Sequence, residues 1–296
     1  MSILLIGSSN TDMVVKTQKL PAPGETVIGG TFLMNPGGKG ANQAVAAARL
    51  KASVRLVAKV GNDLFGEQAV EGFQKEGIDT TAVVTDAGPS GVALITVDDK
   101  GENCIVVAPG ANGNLRPHEV DAAIEGCAPD DIVLLQLEIP LATVGHAIRK
   151  SAERGLRVIL NPAPAQPLPA DLLAHLYLIT PNETEAELLT GVPVTEQSVA
   201  EAARALQQMG VSNVVITLGA KGAYVLSPEF EGLVPTAAVT AVDSTAAGDC
   251  FNGALAVGIA EGLPLREAVA FACKAAAISV TRLGAQSSMP HRNEIT

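Results

Sequence analysis

The 296-residue chain predicts an α/β fold: a central, mostly parallel sheet flanked by helices, with a small antiparallel β lid. Three observations predict it. Short apolar runs alternate with helical stretches along the chain, as repeated βαβ units require. The runs are nearly continuous in Val, Ile and Leu, as strands covered on both faces are. Two pairs of extended segments break the rhythm, with no helix between their members.

The elements follow in order. Residues 3–6 (ILLI) open the sheet. Residues 13–15 and 27–33 form the first helix-free pair. Helix 39–50 is rich in alanine, the strongest helix former. Strand 54–60 and helix 64–76 complete one βαβ step. Residues 91–97 and 103–107 form a hairpin turned by Asp98-Asp99-Lys100-Gly101. With the first pair they make the lid, about residues 12–34 and 91–107, projecting over a cleft. Its apolar face calls for cover, which a second lid packed face to face would supply. Helix 117–125, strand 132–135, helix 141–153 and strand 158–160 continue the alternation. A proline-rich loop, 162–169, precedes strand 176–180, helices 184–190 and 198–209, and strand 214–217. An extended run, 234–242, leads to helices 248–261 and 265–281. The whole chain, 1–296, is expected to be a single domain.

Hydrophobic residues make up 47% of the chain, enough for a large core. Aromatics are only 3% and Trp is absent, so that core is aliphatic. A net charge of −11 argues against nucleic acid or an anionic membrane as partner. An anionic ligand would have to be met by local donors and metal ions. Cys104, Cys127, Cys250 and Cys273 show no zinc-type spacing and read as free thiols of a reducing cytoplasm. Met1-Ser2 leads directly into a strand, with no secretory signal. No apolar run reaches the ~18 residues of a membrane span. The expected location is cytoplasmic.

Chemistry concentrates in two glycine-containing turns. Residues 243–249 (DSTAAGD) precede a small-residue helix that begins near Gly248. A turn feeding a helix start points unpaired amides outward, and the helix dipole adds partial positive charge, so the spot suits phosphate. Ala246, Ala247 and Gly248 are small enough to let phosphate reach their N–H groups. Asp249 can accept a proton from a nearby hydroxyl there, or simply cap the helix. An anion hole beside a general base points to phosphoryl transfer.

The second turn, Asn35-Pro36-Gly37-Gly38-Lys39-Gly40-Ala41-Asn42-Gln43, enters helix 39–50. Its glycines let backbone approach a ligand closely, and Lys39 and Asn42 place polar heads at the opening. Asn10 and Asp12 follow the first strand, where a parallel sheet presents its C-terminal edge to ligand. Such carboxylates and amides suit vicinal hydroxyls. A solvated glycine-rich turn is the bland alternative.

These motifs, in this order, carry a resemblance. The chain is similar to ribokinases, within the wider family of sugar and nucleoside kinases. The match includes Asn10-Thr11-Asp12, residues 36–42, Gly61-Asn62-Asp63, Gln136-Leu137-Glu138 and Asn182-Glu183-Thr184-Glu185. It continues through Thr217-Leu218-Gly219 with Gly222, residues 243–249, Thr281-Arg282 and Gly284-Ala285-Gln286-Ser287-Ser288.

The resemblance implies a ribokinase-like fold and transfer of the γ-phosphoryl group of ATP to the O5 hydroxyl of D-ribose. Asp249 would be the base, with Ala246, Ala247 and Gly248 around the phosphate. Asn10, Asp12, Gly38, Lys39, Gly40, Ala41, Asn42, Glu138 and Asp249 would hold the sugar. Thr217, Leu218, Gly219, Ala220, Lys221 and Gly222 would border the nucleotide with Gly248, Asn182 and Cys273. Asn182 and Glu185 would help place Mg²⁺, through water if need be, although Asn-x-x-Glu is also a common exposed helix cap. Asp243, Thr245, Ser279, Arg282, Gly284 and Ser288 would surround K⁺, largely through backbone carbonyls. A homodimer joined through the lids is also implied.

Three departures stand out. Ser244 and Cys250 stand where Thr is common, and Cys273 stands where a histidine near the adenine is frequent. Cys250 adjoins Asp249 but lacks the neighbouring base that a cysteine nucleophile needs. The competing readings are a fructose, ketodeoxygluconate or nucleoside kinase of the same fold, and a catalytically silent sugar sensor.

Overall fold

The computed structural model describes residues 1–295. In chain order, β1 (Ser2–Ile6), β2 (Asn10–Lys16) and β3 (Thr31–Gly37) precede α1 (Lys39–Arg49). Then come β4 (Ser53–Gly61), α2 (Leu64–Lys75), β5 (Asp79–Asp86), β6 (Gly91–Val97) and β7 (Asn103–Ala108). The middle of the chain holds α3 (Asp121–Glu125), β8 (Ile132–Leu135), α4 (Leu141–Glu153), β9 (Arg157–Leu160), α5 (Ala170–Leu173) and β10 (Leu178–Ile179). The rest comprises α6 (Glu183–Thr190), α7 (Val199–Gln208), β11 (Asn213–Thr217), β12 (Ala223–Leu226), β13 (Glu231–Val234), α8 (Ala247–Ala260) and α9 (Leu265–Ser279).

A nine-stranded sheet runs β13-β12-β11-β10-β9-β8-β1-β4-β5. Its pairings are parallel from β5 to β11, and β12 and β13 add an antiparallel edge. Side chains of β1 alternate between two cores, because strand side chains point to opposite faces. Ile3 and Leu5 pack with α1, α8 and α9 on one face. Leu4 and Ile6 pack with α4, α6 and α7 on the other. This two-sided cover explains the continuous apolar runs.

The lid is a four-stranded sheet, β3-β2-β6-β7. Two antiparallel pairs, β2–β3 and β6–β7, are joined by a parallel pairing of β2 with β6. The predicted 98–101 turn is present, with Gly101 at φ 83°. The predicted strand 27–33 shifts to Thr31–Gly37. Gly29 and Gly30, at φ 105° and 134°, delay its start. It then runs through Pro36, which an edge strand tolerates.

Other boundaries also moved. Helix 117–125 divides into a 3₁₀ turn at Pro117–Glu119 and α3, the proline opening the turn. The run 234–242 is strand only at its first residue, and residues 235–246 carry no regular structure. Strands β5, β12 and β13 and the short helix α5 were not anticipated. Among the described residues, no helix is long and apolar enough to cross a membrane.

Candidate active site

The centre of the site is the N-terminus of α8. Its N-cap is Ala246, held at φ 58° in the left-handed region that a Cβ disfavours. Such strain is retained where surrounding structure imposes it. In the first turn, the amides of Gly248 and Asp249 have no intrahelical acceptor. The Ala247 amide is engaged, donating to the Ser244 carbonyl at 3.2 Å.

Asp249 does not cap the helix. The residue is 6% exposed, and its carboxylate is gripped from α1. Asn42 Nδ2 donates to Oδ2 at 2.9 Å and Gln43 Nε2 donates to Oδ1 at 3.0 Å. Burial pushes its pKa upward, against the Lys39 charge and these two donors, and the charge of Glu138 adds to the rise.

Behind this carboxylate lies a polar network that sequence reasoning missed. Gln43 Nε2 also reaches Asn161 Oδ1 at 3.0 Å, and Gln43 Oε1 accepts from Gln136 at 2.6 Å. Asn161 donates to the Thr180 carbonyl at 3.2 Å, and the Thr180 hydroxyl donates to Asn252 at 2.5 Å. Asn252 closes the circuit on the Gly248 carbonyl at 2.8 Å. One signal could have found three of these residues. Gln136, Asn161 and Thr180 each follow an apolar strand at the carboxyl edge of the sheet, where α/β ligands bind.

The sugar-side residues come from β2, α1 and the turn after β8. Gly38, at φ 87°, is the N-cap of α1. A Cβ there would crowd the Ser9 and Asn10 backbone. Glu138 Oε2 accepts from the Lys39 amide at 3.0 Å and the Ser8 hydroxyl at 2.6 Å. Asp12 packs on Gly37, where any Cβ would overlap its carboxylate. Its pKa is raised to about 6, first by burial and then by the charges of Glu138 and Asp249, with Lys39 opposing. Burial disfavours the Lys39 charge, but Asp249, Glu138, Glu185 and Asp12 together hold its ammonium above the ordinary range. These side chains therefore share one electrostatic field. Asn10 is buried and its Oδ1 accepts from Asn112 Nδ2 at 2.7 Å. Ala41 is fully buried in the core, and its amide donates to the Ser8 carbonyl at 2.8 Å.

Two contiguous cavities lie at the N-terminus of α8. One, of ≈ 220 Å³, is lined by Lys39, Asn182, Glu185, Ala246, Gly248 and Asp249 among others. The other, of ≈ 480 Å³, is mostly apolar and includes Gly219, Ala220, Gly222, Thr236, Phe251 and Cys273 in its walls. They share Thr217, Ser244, Ala247 and Gly248. The polar cavity suits phosphates and the apolar one a planar base. Leu218 and Lys221 do not line either. Leu218 packs against the core, and Lys221 pairs with Glu196 at 2.5 Å on the surface.

Asn182 and Glu185 form a reciprocal capping box, Asn182 accepting from the Glu185 amide at 2.8 Å and Glu185 from the Asn182 amide at 2.9 Å. The capping alternative is thus realised, yet Glu185 is buried and lines the polar cavity. Burial raises its pKa, against the Asn182 amide and Lys39, and Asp249 adds to the rise. Among the described residues, no cluster of three or more His, Cys, Asp or Glu side chains could hold a metal ion. A Mg²⁺ ion held at Glu185 would therefore take its other ligands from water and phosphate, as this ion commonly does.

The predicted cation loop folds as a unit. Asp243 Oδ1 accepts from Thr245 N and Oγ1 at 2.9 and 2.6 Å, and Oδ2 from the Gly284 amide at 2.9 Å. The Val242 and Asp243 amides both donate to the Val280 carbonyl. Burial would raise the Asp243 pKa, but Thr245 and Gly284 outweigh it and hold the carboxylate ionised. Other predicted side chains are engaged elsewhere. Ser279 and Ser288 bond to the Ala276 and Ala285 carbonyls, and Arg282 pairs with Glu294. The Ser279 carbonyl also accepts, from the Arg282 amide at 3.0 Å. Burial pushes the Cys250 and Cys273 thiols up to about 12 and about 11, which leaves neither a nucleophile.

The chain is similar to known proteins over nearly its whole length. Ribokinase of Haemophilus influenzae is 45% identical over 99% of this chain and 96% of its own length. Deoxyribokinase of Salmonella typhi is 41% identical over 98% and 96%. The structure of Arabidopsis thaliana ribokinase complexed with ribose and ATP superimposes with a TM-score of 0.88 at 32% identity, covering 99% of this chain and 97% of that one. The pfkB family carbohydrate kinase pattern matches residues 1–292. The chain belongs to the pfkB family of carbohydrate kinases.

Proposed function

We propose that this protein is a ribokinase, transferring the γ-phosphoryl group of ATP to the O5 hydroxyl of D-ribose. One observation carries the reading: a buried, donor-gripped carboxylate, Asp249, stands at a helix N-terminus in the wall of a polar cavity that also contains Lys39 and that shares Gly248 with the larger apolar cavity. Asp249 takes the proton of the attacking hydroxyl, an effect worth roughly 10²–10⁴-fold. Its raised pKa moves it toward the operating pH. The free Gly248 and Asp249 amides and the Lys39 ammonium meet the charge that develops on the transferred group. Asp12, Asn10, Lys39, Asn42 and Glu138 orient the sugar, and the apolar cavity holds the base. The intact base argues against a silent sensor, which has no use for it.

Mg²⁺ would be held by Glu185 with water and the phosphates, where it would neutralise phosphate charge. K⁺ would be held by carbonyls of the 243–245 and 279–288 segments, fixing the loop that leads into α8. Two copies pair through their lids. β-Strand alternation places Asp12, Ala93 and Ile105 on one lid face and Phe32, Leu94 and Val106 on the other. Phe32 is 60% and Val106 61% exposed. Such a patch calls for cover. The free thiols fit a cytoplasmic protein.

The deoxyribokinase relative makes 2-deoxyribose the specific rival substrate. A site that hydrogen-bonds a hydroxyl rejects the analogue lacking it, and a desolvated Asp12 needs its hydroxyls. The test is ADP release with Mg²⁺-ATP and a panel of ribose, 2-deoxyribose, fructose and nucleosides. Ribose should show the highest kcat/KM. A higher value for 2-deoxyribose, or for any nucleoside, would overturn the assignment.

A further inference from the structure

The Gly61-Asn62-Asp63 motif takes no part in the chemistry above, yet it holds the root of the lid. Asp63 is the N-cap of α2, its Oδ1 accepting from the Gly66 amide at 2.9 Å. The same carboxylate reaches Ser90, the residue before β6. Oδ2 accepts from the Ser90 amide at 2.8 Å, and Oδ1 accepts from its hydroxyl at 2.7 Å. That hydroxyl accepts in turn from the Gly61 amide at 2.9 Å. Ser90 is buried, and glycines make room for it: a Cβ at Gly61 would overlap its amide and one at Gly110 its carbonyl. A helix cap alone needs only the bond to Gly66. The two further bonds to Ser90 serve something else.

A second tie lies beside the first. Asn112 is buried; its Oδ1 accepts from the Ser9 amide at 2.9 Å, and its Nδ2 donates to the Ser9 carbonyl at 3.0 Å and to Asn10 Oδ1 at 2.7 Å. Ser9 precedes β2 as Ser90 precedes β6. The two strands then run in parallel register, Asn10 opposite Gly91 and Asp12 opposite Ala93. A Cβ at Gly91 would overlap both Asn112 Nδ2 and Asn10 Oδ1. The strands that carry the lid therefore leave the body side by side, each anchored by one polar side chain.

We propose that Asp63 is a positioning residue for sugar capture. Through Ser90 it fixes where β6 leaves the body, and through the β6–β2 pairing it sets where Asn10 and Asp12 stand, with Asn112 holding β2 directly. The proposal rests on the assignment of Asn10 and Asp12 to the sugar.

Asp63→Ser separates the two roles of Asp63. Serine caps a helix about as well as aspartate but is too short to bridge to Ser90. Loss of charge-assisted bonds of this kind should raise the KM for ribose about tenfold. The kcat at saturating ribose and the KM for ATP should stay within about twofold, and Tm within about 2 °C. Ser90→Ala should move the ribose KM the same way, and the double variant should be no worse than Asp63→Ser alone, because both break one link. An unchanged ribose KM in Asp63→Ser would overturn the proposal. So would a joint fall in kcat, ATP affinity and Tm, which marks a purely structural cap. Failure of the unmutated enzyme to phosphorylate ribose would instead sink the ribose assignment. The role of Asp63 would then be read on the KM of the sugar that the panel identifies.

Discussion

Asp12 and Asp249 are both carboxylates with raised pKa values, yet they serve different chemistry. In the proposed reaction Asp249 would accept a proton, and Asp12 would stay ionised to accept two hydroxyls. Because the Asp12 pKa lies at about 6, ribose binding should weaken in mild acid. The dissociation constant should be flat above about pH 7 and rise about tenfold per unit well below 6, as the competent fraction falls. Asp12→Asn should bind weakly at every pH, and titration calorimetry from pH 5 to 8 checks both. The stability effect has the opposite sign. A raised carboxyl pKa penalises the folded state above about 6 and not below about 4, so Asp12→Asn should raise Tm at pH 8 and leave it unchanged at pH 4. Lys39 and Asp249 were legible in the sequence because glycine-containing turns mark close backbone approach, and Asp12 because it follows the first strand at the carboxyl edge of the sheet. Gln43 and Asn112 were not, because their partners lie 206 and 102–103 residues away along the chain.

At the scale of elements, the N-terminus of α8 depends on the segment before it. Ala246 is strained, and residues 235–246 are irregular, so the loop is held by Asp243, Gly284 and Val280. A cation bound to its carbonyls would aim the Gly248 and Asp249 amides without touching substrate. Carbonyl cages suit a weakly hydrated ion, so the initial rate should be highest in K⁺, lower in Na⁺ and lowest in a bulky organic cation at equal ionic strength. Equal rates in all three would remove the cation site from the account. The buried strands were read correctly from their apolar runs. β5 escaped because an edge strand, Asp-Thr-Thr-Ala-Val-Val-Thr-Asp, is half exposed and polar. β12 and β13 escaped because each is only four residues long.

At the scale of the whole molecule, the −11 charge leaves nucleotide binding to local donors rather than to the global field. In the proposed account the lid carries Asn10 and Asp12 on one face, and the other face, with Phe32, Leu94 and Val106, would meet a second copy, so assembly and catalysis would share one small sheet. Leu94→Glu, on the apolar face, should convert a dimer into a monomer of 30.2 kDa by analytical ultracentrifugation. The same variant should lower ribose affinity, because a lid without its partner orders less well. An unmutated protein that sediments as a monomer would refute the lid interface. The central claim is that Asp249 is the base of a sugar-directed phosphoryl transfer. Asp249→Asn keeps the shape of the side chain and cannot take the proton. With saturating ribose and Mg²⁺-ATP, its turnover should fall at least ~10²-fold, while ribose and ATP still bind with near-normal affinity by calorimetry. Retention of more than about a tenth of the parent rate would contradict the account, given that minimum.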